Sequence, residues 1–532
     1  MAGTFAYGLG ARPQPDGALA RRPVVVAGVV ASALAVLFLL SKLTGQDLSA
    51  QMARADFARD HALTPVDFRW FGGTLSLGYS LWVPWVASVV GVRLLGVAAA
   101  IIGSILTTRL LQYAKAPHLT AAAVAVAVCQ LADVAVGRVT FQVGLTCALG
   151  ATVCIAAKDP GLARRAAAIV LGALAGAASP VVTLELWIVA LALFVKRERR
   201  LDAVLLAMSS TIPSAIISLV FADGSLQQFQ WSMAVRALGG GALVLLVVPR
   251  QHRTLRLGTA ISLVVVLIAW VVPSQIGSNA IRLGLLFGIP CVIAFSRWGR
   301  WATAGLAVIA VVIQPPVSPE IPQLWGEQAS RQAYYQPLVD QINSHGPLTG
   351  RVETPEQSSH WDAALLAKSV PLARGWLRQV DTELNEHVFF DGRPTVQTYR
   401  DFLRSEAVQY VAIPDTALTT VGEQERDLVA TGLPYLRRIW HNADWTLYLV
   451  DGATSIAEAP ARLVRQYPDR IEVYAPEAMT VHLRLRWFKW LTVTGPIGTC
   501  VTPSADNEHV DVHTTGGGTV VISSSLSAQK QC

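Results

Sequence analysis

The sequence predicts an α-helical membrane bundle followed by a C-terminal part that mixes helices and strands. Of the 532 residues, 52% are hydrophobic and only 15% are charged, and the mean hydropathy is +0.44. This composition is typical of a polytopic membrane protein and argues against a soluble globular class. The apolar runs are concentrated in residues 24–313, whereas residues 317–532 have the composition of a soluble domain. Two parts of different class are therefore expected.

The apolar runs predict a membrane domain over residues 23–313 with about eleven transmembrane helices. Residues 1–22 are predicted to be a cytoplasmic tail. The first span follows Arg21-Arg22 without a small-x-small cleavage site, so it is expected to remain as an anchor. The predicted spans are 24–43, 93–113, 119–136, 140–157, 166–179, 183–195, 201–221, 231–248, 257–273, 283–295 and 301–313.

The segment 77–92 is apolar but short, and it contains Pro84 between Trp82 and Trp85. These features favour an interfacial helix over a crossing. With that assignment most Lys and Arg fall in loops on one side, and the short loops of the other side carry only Arg138 and Arg282. The positive-inside rule then predicts a plasma-membrane protein with a cytoplasmic N-terminus. The long first loop, residues 44–79, and the C-terminal part are placed together on the outer side.

The net charge of +7 does not indicate nucleic-acid binding, because the basic residues lie mainly in short loops between apolar runs.

In the C-terminal part, residues 331–345 and 395–405 are predicted to be helices, and 351–354 and 408–413 strands. Residues 314–453 are therefore expected to form an extracytoplasmic α/β domain.

Residues 454–532 contain short alternating runs such as IEVYA and TVHLRLRW, separated by Gly, Pro, Asp and Asn. This pattern predicts a small β-rich unit at the C-terminus. Cys500 and Cys532 lie in this unit, and an oxidising compartment would permit them to pair. Whether they do is left open, since distance is not encoded in sequence.

Asp47 follows the first span by a few residues, at the predicted level of the lipid headgroups. A carboxylate there is suited to take a proton from an acceptor hydroxyl, or to bind a metal that bridges a lipid phosphate. The alternative is a helix cap, because Asp47 precedes LSAQMARADFARD and Asp is a favoured N-cap residue.

Further along the loop, Asp67 to Gly73 combines aromatic, charged and glycine residues. Trp70 and Phe71 are predicted to form a sugar-stacking or lipid-contacting surface, Arg69 to pair with a phosphate, and Gly72-Gly73 to allow a tight turn or a close backbone approach. Aromatic residues at a membrane interface are also ordinary belt residues.

Ionisable groups cluster at the predicted outer ends of the spans. Asp133 and Arg138 are placed to pair, Glu185 lies in a tight hairpin, and Asn279 and Arg282 lie in QIGSNAIR. Polar groups within a membrane are costly, so such a ring suggests a site for a phosphorylated lipid headgroup. Structural ion pairs or helix caps are the alternative for each residue alone.

In the soluble part, two polar-aromatic clusters are candidates for binding a polar acceptor, with packed surface pairs as the alternative. Their candidate residues are His360, Trp361, Arg374, Trp376 and Gln379. The chain lacks GxSxG, HExxH, a Walker loop, a Rossmann glycine fingerprint and CxxC spacing. These absences argue against soluble-type hydrolases, ATP-driven pumps and dinucleotide enzymes.

Several stretches resemble the GT-C superfamily of membrane glycosyltransferases, and more narrowly its actinobacterial multispanning branch. They are GQDLSAQ, DFRWFGGTLSLGYSLWVPW, GRVTFQVGL, ASPVVTLEL, IGSNAIRLGLLF and SSHWDAALLAKSVPLARGWLRQVD. The resemblance covers nearly the whole chain. It implies a hexosyl- or pentosyltransferase that takes sugar from a polyprenyl-phosphate donor and passes it to a cell-envelope glycan, lipid or protein.

The resemblance also implies roles for individual residues. Asp47 matches the acid of the first outer loop, and it would serve as the base of an inverting transfer. Arg69, Arg138, Arg282 and Asn279 would bind the donor phosphate. The substrate-binding residues would be Gln51, Trp70, Glu185, His360, Trp361, Arg374, Trp376 and Gln379. Asp47 lacks the paired acidic residue of some branches, so a divalent metal, Mg²⁺ or Mn²⁺, is left open with Asp47 as its ligand.

Two other functions fit parts of the sequence. A transporter or flippase for a lipid-linked sugar explains the apolar spans, but not the long first loop or the large outer part. A non-catalytic envelope scaffold explains the β unit. The donor sugar, acceptor and linkage are not encoded in any spacing of the chain.

Overall fold

A computed structural model describes residues 17–157, 160–221, 225–316, 325–527 and 532. The first sixteen residues of the predicted tail lie outside this range. The N-terminal part is helical, and its α-helices are α1 Gly17–Leu40, α2 Leu48–Asp60, α3 Val83–Val90, α4 Val92–Tyr113, α5 Leu119–Val136, α6 Val139–Ala156, α7 Leu162–Ala178, α8 Pro180–Phe194, α9 Arg200–Val220, α10 Trp231–Val247, α11 Arg253–Val271, α12 Arg282–Phe295 and α13 Arg300–Ile313.

Eleven of these helices, α1 and α4–α13, lie on the predicted spans. Among the described residues, seven helical segments are long and apolar enough to cross a membrane. Helices α8, α10 and α13 are apolar but shorter. The prediction of a multi-pass helical membrane protein is confirmed, and the count of eleven crossings stays a prediction.

Helix α3 lies in the segment predicted to be interfacial. Its eight residues span about 12 Å at 1.5 Å per residue, less than half the thickness of the hydrocarbon core. Just before it, Trp82 Nε1 donates to the carbonyl oxygen of Leu174 at 3.0 Å, which ties the segment to the end of α7. The segment joins the first loop to α4, and its interfacial position stays a prediction.

The α/β unit, residues 325–453, has a four-stranded sheet in the order β3-β4-β6-β5. Strands β3 and β4 are parallel, and the other pairs are antiparallel. Its elements are α14 Gln332–Ser344, β3 Arg351–Glu353, α15 Asp362–Leu365, α16 Arg378–Asn385, α17 Val396–Ser405, β4 Val408–Pro414, α18 Thr420–Ala430, β5 Leu436–His441 and β6 Trp445–Val450. The predicted helices and strands of this part are confirmed.

The β unit, from residue 454 onward, has two antiparallel sheets in the orders β10-β13-β8-β7 and β11-β12-β9. Its strands are β7 Arg462–Gln466, β8 Ile471–Ala475, β9 Met479–Leu483, β10 Leu491–Thr494, β11 Cys500–Pro503, β12 Val510–Thr514 and β13 Gly518–Ser524. Residues of alternating burial on β8, β9, β12 and β13 build one apolar core. Cys500 and Cys532, whose pairing was left open, form a disulfide.

The first loop, residues 44–79, packs into both C-terminal units through its short hairpin, β1 Val66–Asp67 and β2 Thr74–Leu75. Val66 and Phe68 belong to the core of the β unit. Trp70 and Phe71 belong to the core of the α/β unit. Because the hairpin supplies core residues to both units, it fixes their position relative to the membrane helices.

The turn of this hairpin requires its glycine pair. Gly72 and Gly73 have φ values of +67° and +139°, in the region that L side chains rarely adopt. A Cβ on Gly72 would lie 2.7 Å from Arg351 Nη2, and one on Gly73 would lie 3.0 Å from Phe488. The tight turn and the close approach predicted for this pair are thus both present.

Candidate functional site

Asp47 is at the N-cap position of α2, but its carboxylate makes no capping hydrogen bond. Instead, Asp47 Oδ2 lies 3.5 Å from Arg138 Nε, and the Asp47 side chain remains 34% exposed. A cap would have satisfied one of the free N–H groups at the helix start. The carboxylate is therefore directed toward the turn between α5 and α6 rather than toward its own helix.

Two glycines hold Asp47 against that turn. The backbone N–H of Asp47 donates to the carbonyl oxygen of Val136 at 3.1 Å. A Cβ on Gly45 would lie 2.3 Å from the carbonyl oxygen of Ala135, and one on Gly137 would lie 2.2 Å from the amide nitrogen of Leu48. Real side chains cannot make such contacts, so both glycines are needed for the two backbones to meet. Asp47 is thereby fixed beside Arg138.

Arg138 links Asp47 to a second, buried carboxylate. Its Nη1 donates to Asp133 Oδ1 at 3.4 Å, which confirms the predicted pair. Burial opposes the charge of Arg138, but Asp133 and Asp47 outweigh that effect and raise the pKa of the guanidinium. Both ion-pair contacts are longer than the 2.7–2.9 Å typical of charge-assisted hydrogen bonds. Arg138 therefore retains capacity for another anion.

Arg282 and Glu185 extend the polar group into the helices. Arg282 Nη2 donates to Asn279 Oδ1 at 2.6 Å, and its guanidinium lies 4.5 Å from the centre of the Phe141 ring. Its Nη1 is buried and has no hydrogen-bond partner among the described residues. Both carboxylate oxygens of Glu185 are likewise buried without a partner there. A buried polar atom without a partner is costly and indicates a place for a ligand or water.

Gln51 supports the site from α2 by contacting α6. Its Oε1 accepts a hydrogen bond from the hydroxyl of Thr140, and the residue is only 7% exposed. This contact fixes α2 next to the start of α6, which Arg138 immediately precedes. The structure thus places Gln51 under the site as a positioning side chain.

His360, which is 5% exposed, and Trp376, which is partly exposed, are the predicted site residues of the α/β unit that contact each other. Their rings are stacked, with centroids 3.4 Å apart and planes inclined by 7°. His360 has a left-handed backbone, with φ of +54°, which is uncommon for a residue other than glycine. Burial, and then the charge of Arg378, hold the pKa of His360 well below its ordinary value, while Asp47 acts in the opposite direction. Burial thus favours the neutral form of this imidazole.

Glu356 and Arg378 lie next to His360, and neither was predicted from the sequence to be a site residue. Arg378 Nη2 contacts Glu356 Oε1 at 2.6 Å, and the same oxygen lies 3.9 Å from His360 Nδ1. The spacing of Glu356 and His360, four residues apart, is a signal that was available in the sequence. Gln379 follows Arg378 on α16 and is partly buried.

Four predicted ligand residues lie in packed positions instead of on an open surface. Arg69 is 5% exposed, contacts Asp67 Oδ2 at 2.6 Å, and donates to the carbonyl oxygen of Ala53 at 2.8 Å. Trp70 is 2% exposed and donates to the carbonyl oxygen of Ala363. The role of Arg69 in binding phosphate and that of Trp70 in stacking on sugar are therefore not supported by the geometry.

The same holds for Arg374 and Trp361. Arg374 is surrounded by Asp381, Glu353 and Glu425, all within 3.4 Å of its guanidinium. Trp361 is 7% exposed in the core of the α/β unit. Asp381 is only seven residues from Arg374, whereas Glu353 and Glu425 are 21 and 51 residues away.

A cavity of about 850 Å³ lies among α4, α6, α8, α10, α11 and α12, and its lining is mainly Leu, Ala, Val and Ile. Glu185 and Gln314 line one part of it, and Lys115, Lys196 and Arg253 line another. The Gln314 amide nitrogen is buried without a hydrogen-bond partner among the described residues. The volume is in the usual range for a ligand site, and the lining suits a hydrocarbon chain.

The residues beside Asp47 do not make a divalent-metal site of their own. Within the described ranges, Asp47 belongs to no group of three or more His, Cys, Asp or Glu ligand atoms that lie close together. Its nearest charged partner is the guanidinium of Arg138. Since Mg²⁺ prefers several oxygen ligands, this donor set does not fit it.

No protein-family model and no curated protein sequence matches the chain. Among solved structures, arabinofuranosyltransferase AftD from Mycobacteria aligns at 15% identity and a TM-score of 0.45, over 81% of this chain and 40% of AftD. This chain thus spans about 40% of the length of AftD. ArnT from Cupriavidus metallidurans, solved bound to undecaprenyl phosphate, aligns at 14% identity and a TM-score of 0.43, over 80% of this chain and 98% of ArnT.

An oligosaccharyltransferase from Archaeoglobus fulgidus aligns at 12% identity and a TM-score of 0.41, over 75% of this chain and 70% of that protein. All three proteins belong to the GT-C superfamily of membrane glycosyltransferases, the superfamily that the sequence motifs resemble.

Proposed function

We propose that this protein is an integral membrane glycosyltransferase. It transfers a sugar from a polyprenyl-phosphate donor to a hydroxyl group of a cell-envelope acceptor, on the outer face of the membrane and with inversion at the anomeric carbon. The observation that carries the proposal is the geometry of Asp47. Its carboxylate is partly exposed, does not cap its helix, and lies 3.5 Å from Arg138 Nε.

Asp47 acts as the general base. It accepts the proton of the acceptor hydroxyl while that oxygen forms a bond to the anomeric carbon of the donor. The bond between this carbon and the phosphate oxygen breaks, and its electron pair leaves with the polyprenyl phosphate. Attack from the side opposite the phosphate inverts the configuration. Asp47 is the residue for this role because its oxygens are not committed to short hydrogen bonds.

Arg138 and Arg282 stabilise the departing phosphate. Arg138 has two long ion-pair contacts, and Arg282 has a buried Nη1 without a partner among the described residues. Fixed cations near a developing negative charge lower the barrier, and removal of one such donor typically costs about 10²–10³ in rate. Asn279 holds Arg282 by the hydrogen bond described above.

The apolar cavity among α4, α6, α8, α10, α11 and α12 takes part of the donor's hydrocarbon chain. Its volume and aliphatic lining support this assignment. Undecaprenyl phosphate, the ligand named for ArnT, is of the lipid class proposed here. We assign the acceptor to the part of the α/β unit that carries the stacked rings of His360 and Trp376.

The second candidate is a flippase for a lipid-linked sugar. The cavity lining extends from Glu185 to residues of predicted cytoplasmic loops, Lys115 and Lys196. An aliphatic lining between these positions suits a lipid tail, whereas a sugar headgroup would need polar partners along the path. The transferase is therefore favoured.

The test is donor consumption in membranes that contain the full-length chain. Radiolabelled decaprenyl-phosphate sugars are supplied with cell-envelope acceptors to wild type, to Asp47→Asn, and to Asp60→Asn as a control. Asp60 is exposed at the other end of α2. Transfer by wild type and Asp60→Asn, but not by Asp47→Asn, is the expected result. Full transfer by Asp47→Asn excludes this residue as the base. Movement of labelled lipid across the bilayer without transfer identifies the flippase.

A further inference from the structure

The cavity among the membrane helices reaches an end of the bundle that the proposed transfer reaction does not use. Helix α6 begins next to the Asp47 site and ends at Ala156, which lines the cavity. Glu185 on α8 and Lys196 just after it both line the cavity, and their separation of eleven positions corresponds to about 16 Å along a helix. The hydrocarbon core of a bilayer is about 30 Å thick. The cavity therefore extends through about half of that thickness, away from Asp47.

Three cations, Lys115, Lys196 and Arg253, line this far end of the cavity from three different helix ends. Lys196 follows α8, and Arg253 begins α11. These two helices contact each other, since a Cβ on Gly258 would lie 3.7 Å from the Cβ of Ala192. Lys196 is four residues after Ala192, and Arg253 is five residues before Gly258. Both cations therefore lie slightly more than one helical turn from the same contact.

Lys115 joins this group through its neighbours. The residues on either side of Lys115 belong to one apolar cluster with Leu255 and Phe295. Leu255 is two residues after Arg253, so Lys115 and Arg253 flank the same cluster. Phe295 is the last residue of α12, the helix that Arg282 begins. The cluster and its cations thus lie at the end of α12 that is remote from Arg282.

The positive charge at this end is not neutralised within the described parts of the chain. The side chains of Lys115, Lys196 and Arg253 are exposed, and none of them forms an ion pair with a described acidic residue. Asp202, which lies near this end, is already engaged by Arg165 and Arg199. Among the described residues that line the cavity, the only acidic one is Glu185, at the other end. A group of free cations therefore adjoins an aliphatic cavity.

This combination fits an amphiphile with an anionic head and a hydrocarbon tail. A soluble anion would leave the aliphatic lining without a partner, and a neutral lipid would leave the cations without one. An anionic phospholipid satisfies both, since Lys and Arg near a membrane surface attract anionic lipids. Half of the hydrocarbon core is about 15 Å thick, which matches the axial extent of the cavity. The space therefore suits one acyl chain of a single leaflet.

We infer that an anionic phospholipid binds at this end of the bundle. Its phosphate lies between Lys115, Lys196 and Arg253, and one acyl chain enters the adjoining part of the cavity. The donor chain of the proposed function occupies the end beside Glu185. The phospholipid site is independent of the proposed function, because neither Asp47 nor a sugar donor takes part in it.

The experiment measures lipid binding to the full-length chain, purified in a neutral detergent. Native mass spectrometry counts the bound lipid, and titration gives its Kd. The probes are dioleoyl phosphatidylglycerol, dioleoyl phosphatidylcholine and inorganic phosphate. The first variant combines three substitutions at the cavity end: Lys115→Gln, Lys196→Gln and Arg253→Gln. The matched control removes the same charge from exposed residues of the same end that are not part of the cavity lining: Arg164→Gln, Arg297→Gln and Arg300→Gln.

A further variant tests the place of the acyl chain. Gly288 lines the cavity in the middle of α12, and a Cβ there would have no atom within 4 Å among the described residues. Gly288→Leu therefore fills part of the cavity without a clash against the protein. Thermal unfolding without added lipid verifies that this variant and the two triple variants are folded.

We expect wild type and the control to bind one phosphatidylglycerol per chain, with Kd values within twofold of each other. Loss of the three cations should weaken binding about 100-fold, from about fivefold for each cation. Gly288→Leu should weaken it about tenfold or more, because the chain loses its apolar contacts. Phosphatidylcholine and inorganic phosphate should not displace the bound lipid.

Three results would overturn the inference. Equal binding by the control and the variant without the three cations would show a general attraction of lipid to surface charge. Unchanged binding by Gly288→Leu would exclude the cavity as the place of the chain. Displacement of the lipid by inorganic phosphate would identify a site for a soluble anion instead.

Discussion

Arg138 and Arg374 were both predicted to bind substrate, and both lie among carboxylates, but their surroundings differ. Arg138 has two carboxylate partners at 3.4 and 3.5 Å, and the Asp47 side chain is 34% exposed. Arg374 donates to Asp381 at 2.7 and 2.9 Å, and contacts Glu353 and Glu425 at 3.4 and 3.3 Å. The first arginine belongs to a loosely paired, partly open group, and the second to a closed one.

The difference separates a binding role from a structural role. Arg374 is buried and engaged by three acidic residues, so a substrate phosphate would have to displace carboxylates that are already desolvated. In the proposed reaction, Arg138 would exchange part of its long ion-pair contacts for the donor phosphate. An arginine in a polar stretch of sequence is therefore a candidate ligand only when its carboxylate partners leave donor groups available.

The largest expected effect concerns stability. Arg374→Met leaves Glu353, Glu425 and Asp381 buried without their cation, and breaking a buried ion pair typically costs about 3–5 kcal/mol. Asp47→Asn removes a partly exposed group, so its free energy of unfolding should change by no more than about 0.5 kcal/mol. Thermal or denaturant unfolding of the detergent-solubilised protein measures both. Equal destabilisation by the two variants would mean that the surroundings of Arg374 and those of Asp47 contribute alike to stability.

The buried cluster of Arg374, Asp381, Glu353 and Glu425 also predicts that stability depends on pH. Burial raises the pKa of Glu425 to about 7, although Arg374 and the hydroxyl of Tyr399 oppose the shift. The folded state then holds a proton that the unfolded state releases near the ordinary value of about 4.3. Stability from this group is fully present below that value, and it is lost as the pH rises through about 7.

Glu425→Gln should therefore flatten the stability profile between pH 5 and 7, by up to about 1.4 kcal/mol per pH unit. Glu423→Gln, an exposed residue on the same helix, is the control and should leave the slope unchanged. An unchanged slope in Glu425→Gln would mean that this carboxylate is already ionised in the folded protein at low pH.

A smaller effect, on the KM for the acceptor, is expected from a substitution at Trp376. Trp376→Leu removes the ring stacked on His360, and aromatic stacking of this kind is worth about 0.5–1.5 kcal/mol. Since His360 borders the proposed acceptor place, the KM for the acceptor should rise about two- to tenfold with little change in kcat. Trp440→Leu, an aromatic residue on β5 away from Asp47, is the control. An effect on kcat alone would place Trp376 in the transfer step instead.

The helices and the position of Asp47 were predictable because they depend on local sequence. Apolar runs locate the spans, and Asp47 lies just beyond the first of them. Arg69 could also have been recognised as paired, since Asp67 is two residues away. The pairing of Arg374 with Glu353 and Glu425 could not, because those residues are 21 and 51 positions distant. Contacts that depend on the assembled fold leave no spacing to detect.

The smallest effect is expected for an ion pair that joins the first loop to the surface of the α/β unit. Lys368 Nζ lies 2.5 Å from Asp56 Oδ2, and Lys368 is 41% exposed. Exposed ion pairs typically contribute about 0.2–1 kcal/mol and are weakened by salt. A double-mutant cycle of Lys368→Ala and Asp56→Asn should give a coupling energy in that range at low salt and less at high salt. A coupling above about 2 kcal/mol would mean that the loop is held in place by this pair, and not by the buried Trp70 and Phe71.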